Sequence, residues 1–334
     1  MAKQVPSAIS GEERIIDLFR PLARHPGAFG LIDDCAAVTP PPGTDLVLKA
    51  DAIVGTVHFF PDDPAGDIAR KALRVNLSDL AAKGAAPLGF LLSLALPGDV
   101  DLAWVAGFAQ GLGDDAAHYG CPLLGGDTVR TPGPVTVSIA VFGSVPTGTM
   151  VPRGGGKAGD HVLVSGTIGD AALGVRLCKD PSLASRWGLS TALAQHLTGR
   201  YRLPQPRNAA AEALRLFANA GMDVSDGLVG DLEKMCKASG VSATIEAGRI
   251  PLSDAARTAL AADPALVAPI LTGGDDYEIL VTVEDAKLAA LCRASGAAGV
   301  TLTEIGRIAA GEGVRVLAGD GKTLAFAQGS YSHF

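Results

Sequence analysis

Cysteine and histidine are sparse in this chain of 334 residues, at five and six respectively. Cys35, Cys121, Cys178, Cys236 and Cys292 lie far apart with no C-x-x-C pair. That argues against a disulfide framework or a thiolate zinc site and fits reduced thiols. The histidines show no H-E-x-x-H or similar ligand spacing, so any metal should be a hard one held by oxygen. Excess positive charge is also missing. Lys and Arg number 28 against 35 Asp and Glu, a net charge of −7, so a nucleic-acid partner gains no electrostatic support. The longest apolar run, around "GFLLSLALPG", is far short of the ~20 residues of a spanning helix. "MAKQVPSAIS" lacks the apolar core of a signal peptide. The expectation is a soluble, cytoplasmic protein with no membrane partner.

Three phosphate or metal loops are absent as well. "RGGGKAGD" at 153–160 looks like a phosphate loop, but Lys157 is followed by Ala158 and G-x-x-x-x-G-K-[ST] fails. "LGGDTVRTPG" lacks the spacing and acidic partner of a dinucleotide fold. No D-x-[DN]-x-[DN]-G calcium loop occurs. Cys35, with no histidine signal near it, reads as a small packed residue rather than a nucleophile.

Hydrophobic content is 48%, enough for sizeable cores, and the length fits two domains at ~150 residues each. Ser10 and Glu13 form a capping box ahead of Ile15, Leu18, Phe19 and Leu22, predicting a helix over 11–24. "TDLVLKA" reads as a strand delivering Asp51 at its end. Asp63-Pro64 is an N-cap and N1 pair for a long helix carrying Ile68, Ala72, Leu73 and Leu80. A third helix runs from about Asp101 to His118. "VTVSIAVFG" alternates Val135, Val137, Ile139 and Val141, a half-buried strand. The Pro/Gly-rich stretch 146–159 is the expected boundary, giving domains 1–147 and 148–334. Helices and strands mix in both halves without strict βαβ repetition, so the fold class is α+β, two α/β sandwiches rather than a doubly wound sheet.

Aspartates recur at the edges of apolar segments: Asp33 and Asp34, Asp51, Asp79, Asp127, Asp223 and Asp226, Asp275 and Asp276. Any one alone reads as a cap or turn residue. Asp79 fits that poorly, because it lies inside an apolar helical run, and "VNLSDLAAKG" echoes "MDVSDGLVGD" in the other half. The stretch 221–232 holds Asp223, Asp226 and Asp231 with no Lys or Arg among them. Two carboxylates ~4 Å apart repel by roughly 4 kcal/mol at an effective dielectric near 20. Gathering several without bases therefore implies a divalent cation as the missing counter-charge. Mg²⁺, which bridges one or two carboxylates to phosphates, fits best.

In order along the chain stand "EERIIDLF", "DDCA", "DAIVGTVHF", "VNLSDLAAKGA", "LLGGDT", "VSGTIGDAALG", "DVSDGLVGDL", "TGGDDYEIL" and "GSYSHF". Together they resemble the thiamine-monophosphate kinase family, of the aminoimidazole-ribonucleotide-synthetase-like ATP-using superfamily, over nearly the whole chain. The resemblance implies two domains of that type, with a homodimer built on N-terminal sheets. It also implies ATP-dependent phosphorylation of thiamine monophosphate to the diphosphate, the last step of its biosynthesis, with several Mg²⁺ ions. Asp33, Asp51, Asp79, Asp127, Asp223 and Asp226 match the family's Mg²⁺ ligands. Gly126, Asp127, Arg153 and Ser225 match nucleotide contacts, and His58, Asp275 and Tyr331 match substrate contacts. No nucleophilic residue is implied. Phosphoryl transfer needs positioning and charge neutralisation, and the incoming phosphate oxygen is already ionised. The chain departs from the family at Ile32 for glycine, at Lys49-Ala50 for a Ser/Thr pair, and at Asp275 for glutamate. Two alternatives remain: another ATP-dependent synthetase of the superfamily, or an inactive nucleotide- or thiamine-binding regulator.

Overall fold

The structure is a computed structural model and describes residues 11–327, 329 and 330. Two compact units emerge. The first takes the chain up to Pro41, Leu48–Asn76 and Pro87–Phe142; the second takes Pro42–Val47, Leu77–Ala86 and everything from Gly143.

The first unit is entered through α1 (Gly11–Phe19), which passes into a 3-10 turn at Arg20–Leu22. The expected helix over 11–24 is thus shorter, because Pro21 tightens its last turn; its expected cap, Ser10, lies outside the described residues. Next come β1 (Thr44–Val54), α2 (Ala65–Ala82), β2 (Ala86–Leu96), α3 (Leu102–His118), β3 (Leu123–Arg130) and β4 (Thr136–Pro146). The sheet order is β1-β4-β2-β3, with β2 and β3 parallel. Strand β4 buries Val137, Ile139 and Val141 while Ser138, Ala140 and Phe142 stay half-buried, the alternation its sequence predicts. Asp101 caps α3 by accepting from Trp104 N at 2.7 Å. Just ahead of α2, the Asp63 carboxylate accepts from Phe60 N at 2.9 Å. Two glycines let α2 and α3 cross closely, since a Cβ on Gly111 would lie 2.5 Å from Gly66 Cα. The Arg74 guanidinium then bridges the helices to both oxygens of buried Asp115, at 2.5 and 2.9 Å.

The second unit continues with β5 (His161–Ser165), α4 (Asp170–Lys179), α5 (Leu183–Arg186), α6 (Thr191–Arg202), α7 (Ala211–Phe217), β6 (Ala220–Val224) and α8 (Leu228–Ser239). It closes with β7 (Ser242–Glu246), α9 (Asp254–Ala262), α10 (Val267–Thr272), β8 (Glu278–Val283), α11 (Asp285–Ala297), β9 (Leu302–Ala309) and β10 (Gly313–Leu317). Its sheet runs β10-β7-β9-β5-β8-β6, antiparallel apart from the β10–β7 pair. Every residue of β5, β6 and β8 is buried, as strands covered on both faces must be. One core, with Val162, Leu173, Met222, Leu228 and Leu280, lies on one side; another, with Leu163, Leu214, Ile279 and Val281, lies on the other. Both sheets are mixed and carry helices, so the fold is α+β. Among the described residues no helix is long and apolar enough to cross a membrane, and all five cysteines are free.

Candidate functional site

In the second unit the chemistry gathers where β6 ends. Pairing with β8 sets Asp223 opposite Ile279, and Asp223 is buried. Ser225 and Asp226 then form a half-buried turn into α8. Gly227 (φ 125°) makes that turn possible, because a Cβ there would lie 2.6 Å from the Thr272 carbonyl. Asp231, fully buried in the first turn of α8, ties the turn down. Its Oδ2 accepts from Asp226 N at 2.9 Å and from Gly227 N at 3.2 Å. Burial pushes the Asp231 carboxyl above its ordinary range, against the pull of Lys234 and the backbone donors.

Lys234 corrects the sequence reading. Its ammonium donates to Asp231 Oδ1 at 2.8 Å and to Asp226 Oδ2. The absence of a base within 221–232 therefore does not leave Asp226 and Asp231 uncompensated; the base stands one helical turn beyond. The i, i+3 spacing of Asp231 and Lys234 on a helix was the signal available for it.

The loop 273–277 folds onto the same turn. Asp275 N donates to Ser225 O and Tyr277 N to Val224 O, both at 2.8 Å. Gly274 allows this approach, since its Cβ would lie 2.3 Å from Ser225 O. Asp275 and Tyr277 hold φ of 72° and 50°, left-handed values that are strained in residues other than glycine. The residues between and after them act as anchors. Buried Asp276 accepts from Gly169 N at 2.7 Å and Ala171 N at 3.3 Å. Burial raises its carboxyl well above the ordinary range while those amides and Arg200 pull the other way. Glu278, fully buried, accepts from Ser165 Oγ at 2.5 Å, Arg200 Nη2 at 2.8 Å and Arg207 Nε at 2.7 Å. Arg200 Nη2 also donates to Asp276 O at 3.1 Å. This buried network was not singled out from sequence; the one-residue alternation in "DDYE" is the trace it leaves. From α2, Ser78 Oγ lies 3.5 Å from Tyr277 O, which places the turn bearing half-buried Asp79 beside this loop.

The remaining candidates stand apart from that junction or in the first unit. Asp51 lies inside β1, three residues short of its end, not at the strand terminus. Its N donates to Asn76 Oδ1 at 2.9 Å, and its carboxylate pairs with Lys49 Nζ at 3.1 Å. Lys49 thus does more than remove a hydroxyl: it sets an ammonium on Asp51. His58 Nδ1 accepts from Val54 N at 3.0 Å, and buried Lys71 donates to His58 O at 2.9 Å. Asp127 is exposed on β3. Gly126 beside it could carry no side chain, since a Cβ would lie 1.9 Å from Leu92 O. Asp33 is exposed and accepts from Cys35 N at 3.2 Å, and Cys35 is exposed rather than packed, because this segment has no regular structure to cover it. The glycine run after Arg153 is spoken for: Gly155 N and Gly156 N both donate to Ser239 Oγ at 3.1 Å. Gly154 packs at Ala238, at the C-terminal end of α8. The rise of 1.5 Å per residue puts that end about 15 Å from the Asp226 end, so the second unit does not bring Arg153 to Asp226. Tyr331 lies outside the described residues.

No three His, Cys, Asp or Glu side chains among the described residues converge to hold a metal ion by themselves. The donors at the junction are all oxygens. They suit a hard cation that keeps its waters and is completed by phosphate oxygens, and so fit Mg²⁺ in that form.

The chain matches the AIR synthase related protein, N-terminal domain, over residues 32–145, and the AIR synthase related protein, C-terminal domain, over residues 157–319. It is 43% identical over 306 residues to the thiamine-monophosphate kinase of Caulobacter vibrioides, covering 90% of this chain and 85% of that one. The solved thiamine-monophosphate kinase of Stenotrophomonas maltophilia superposes with a TM-score of 0.83 at 38% identity, covering 94% of this chain and 98% of that one. AaThiL complexed with AMPPCP and TMP superposes with a TM-score of 0.76 at 30% identity, covering 92% and 97% of the two chains.

Proposed function

The chain belongs to the thiamine-monophosphate kinase family, and on that premise we propose that it transfers the γ-phosphoryl group of ATP to thiamine monophosphate, releasing ADP and thiamine diphosphate. The observation that carries this reading is the junction of the β6–α8 turn with the strained 273–277 loop. It ties Asp275 to Ser225, the neighbour of Asp226, which suits the reading of Asp275 as a substrate contact and of Ser225 and Asp226 as nucleotide and metal contacts. The terminal phosphate oxygen of thiamine monophosphate attacks; the bond from the γ-phosphorus to its bridging oxygen breaks; ADP leaves. Asp223 and Asp226, with Asp33, Asp51, Asp79 and Asp127, would hold Mg²⁺, which when bound neutralises phosphate charge as the loose transition state requires. Gly126 gives the nucleotide close approach to backbone, with Ser225 and Arg153 as further contacts. His58, Asp275 and Tyr331 orient the substrate. The domains in this reading are residues 1–147 and 148–334, and the protein works in the cytoplasm.

The test is product formation by the purified chain given ATP, Mg²⁺ and thiamine monophosphate. ADP and thiamine diphosphate should appear in equal amounts, and neither when any of the three is left out. Lysines paired with Asp51 and Asp226 favour a second reading, a binder without activity. Saturable binding of both substrates with no ADP formed would select it.

The active form is a homodimer through the first sheet. Edge strand β1 exposes Leu46 at 47% and Leu48 at 63%, two residues apart and so on one face of the strand, which a partner sheet would cover. Sedimentation at micromolar concentration should give a dimer, and Leu48→Glu should shift it toward monomer. A wild-type monomer under those conditions contradicts the assignment.

A further inference from the structure

Lys234 takes no part in the transfer just described, yet it sits on a carboxylate that the transfer needs. It projects from the second turn of α8 and contacts two aspartates of different character. Asp231 is fully buried and committed to the backbone of the turn, whereas Asp226 and Lys234 are 38% and 39% exposed at the side chain. One contact of the ammonium is therefore fixed and the other is open to exchange.

We infer that the Lys234 ammonium is a placeholder for the divalent cation at Asp226, holding that carboxylate in the metal-free protein and yielding it when metal and nucleotide bind. This rests on the reading of Asp226 as a magnesium ligand. An ammonium on a four-carbon stem is a compact point charge with three donors, and it can leave Asp226 while keeping Asp231. A guanidinium fork would release less readily. The half-exposed ion pair is weak, so a hydrated dication completed by phosphate displaces it. The placeholder keeps Asp226 aimed before substrate arrives, and it raises the concentration of metal needed to engage the site.

The experiment titrates Mg²⁺ into the full-length protein at a fixed concentration of a non-hydrolysable ATP analogue, following thermal unfolding. Wild type is compared with Lys234→Met, Lys234→Gln and Lys234→Arg. Without metal, the Met and Gln variants should melt lower than wild type, because buried Asp231 loses its partner. Their Mg²⁺ midpoint should fall about 2–5-fold, the range set by a weak exposed pair. Lys234→Arg, whose fork releases Asp226 less readily, should keep its midpoint at or above that of wild type. An unchanged or higher midpoint in both neutral variants overturns the inference, as does an arginine midpoint that falls with theirs. Turnover of wild type at saturating Mg²⁺ separates the two ideas. Separated midpoints with no thiamine diphosphate would sink the proposed reaction alone; normal turnover with coincident midpoints would sink the placeholder alone.

Discussion

Asp226→Asn is expected to lower kcat by about 10²–10³-fold, the usual cost of losing one preorganised electrostatic contact to a charge-developing transition state. The fold should survive the change. The turn at 226–227 is held by its backbone amides on Asp231 Oδ2, not by the Asp226 carboxylate, and Lys234 keeps Asp231 as a partner. Asp79→Asn should behave alike, since Asp79 is half-buried on a helix that supplies its own backbone bonds. Kinetics over a Mg²⁺ series beside a thermal melt would check both. Wild-type kcat and wild-type Mg²⁺ dependence in either variant would remove that residue from the metal set.

The largest effect on stability should come from Arg200→Ala. Arg200 is 4% exposed, and Glu278 is completely buried. Removing one partner of a buried ion pair leaves an uncompensated charge and costs about 3–5 kcal/mol. Arg207 still reaches Glu278, which points to the lower half of that range. Loss of the donor to Asp276 O also frees the backbone between the two strained residues, Asp275 and Tyr277. The variant should therefore raise KM for thiamine monophosphate more than for ATP in whatever fraction stays folded. Denaturant unfolding measures the first effect and steady-state kinetics the second. A loss under about 1 kcal/mol would show that the pair contributes no more than an exposed one.

Helix α3 was legible because its cap, its periodicity and its end are all local; β4 was legible because alternation is local too. Asp51 misled because pairing, not propensity, carries β1 three residues further. The recurring aspartates stand out in the sequence, but where the fold sets them does not: Asp223 ends up buried in β6 and Asp51 inside β1. Non-glycine residues rarely adopt left-handed backbone, so nothing local in "GGDDYEIL" announces the conformations of Asp275 and Tyr277. They persist because Asp276 and Glu278 are anchored by residues 71 to 113 positions away in the chain, among them Arg207, Arg200, Gly169 and Ser165. The pairing of Lys49 with Asp51 and of Lys234 with Asp226 is set only by folding.

Transfer of label tests the central claim most directly. ATP carrying ³²P in its γ-phosphate is supplied with Mg²⁺ and thiamine monophosphate, and the products and the protein are separated. Direct transfer predicts label in the terminal phosphate of thiamine diphosphate, matched by ADP, with none left covalently on the protein. Label recovered only as inorganic phosphate, or retained on a side chain in a form that chases into product, would contradict it.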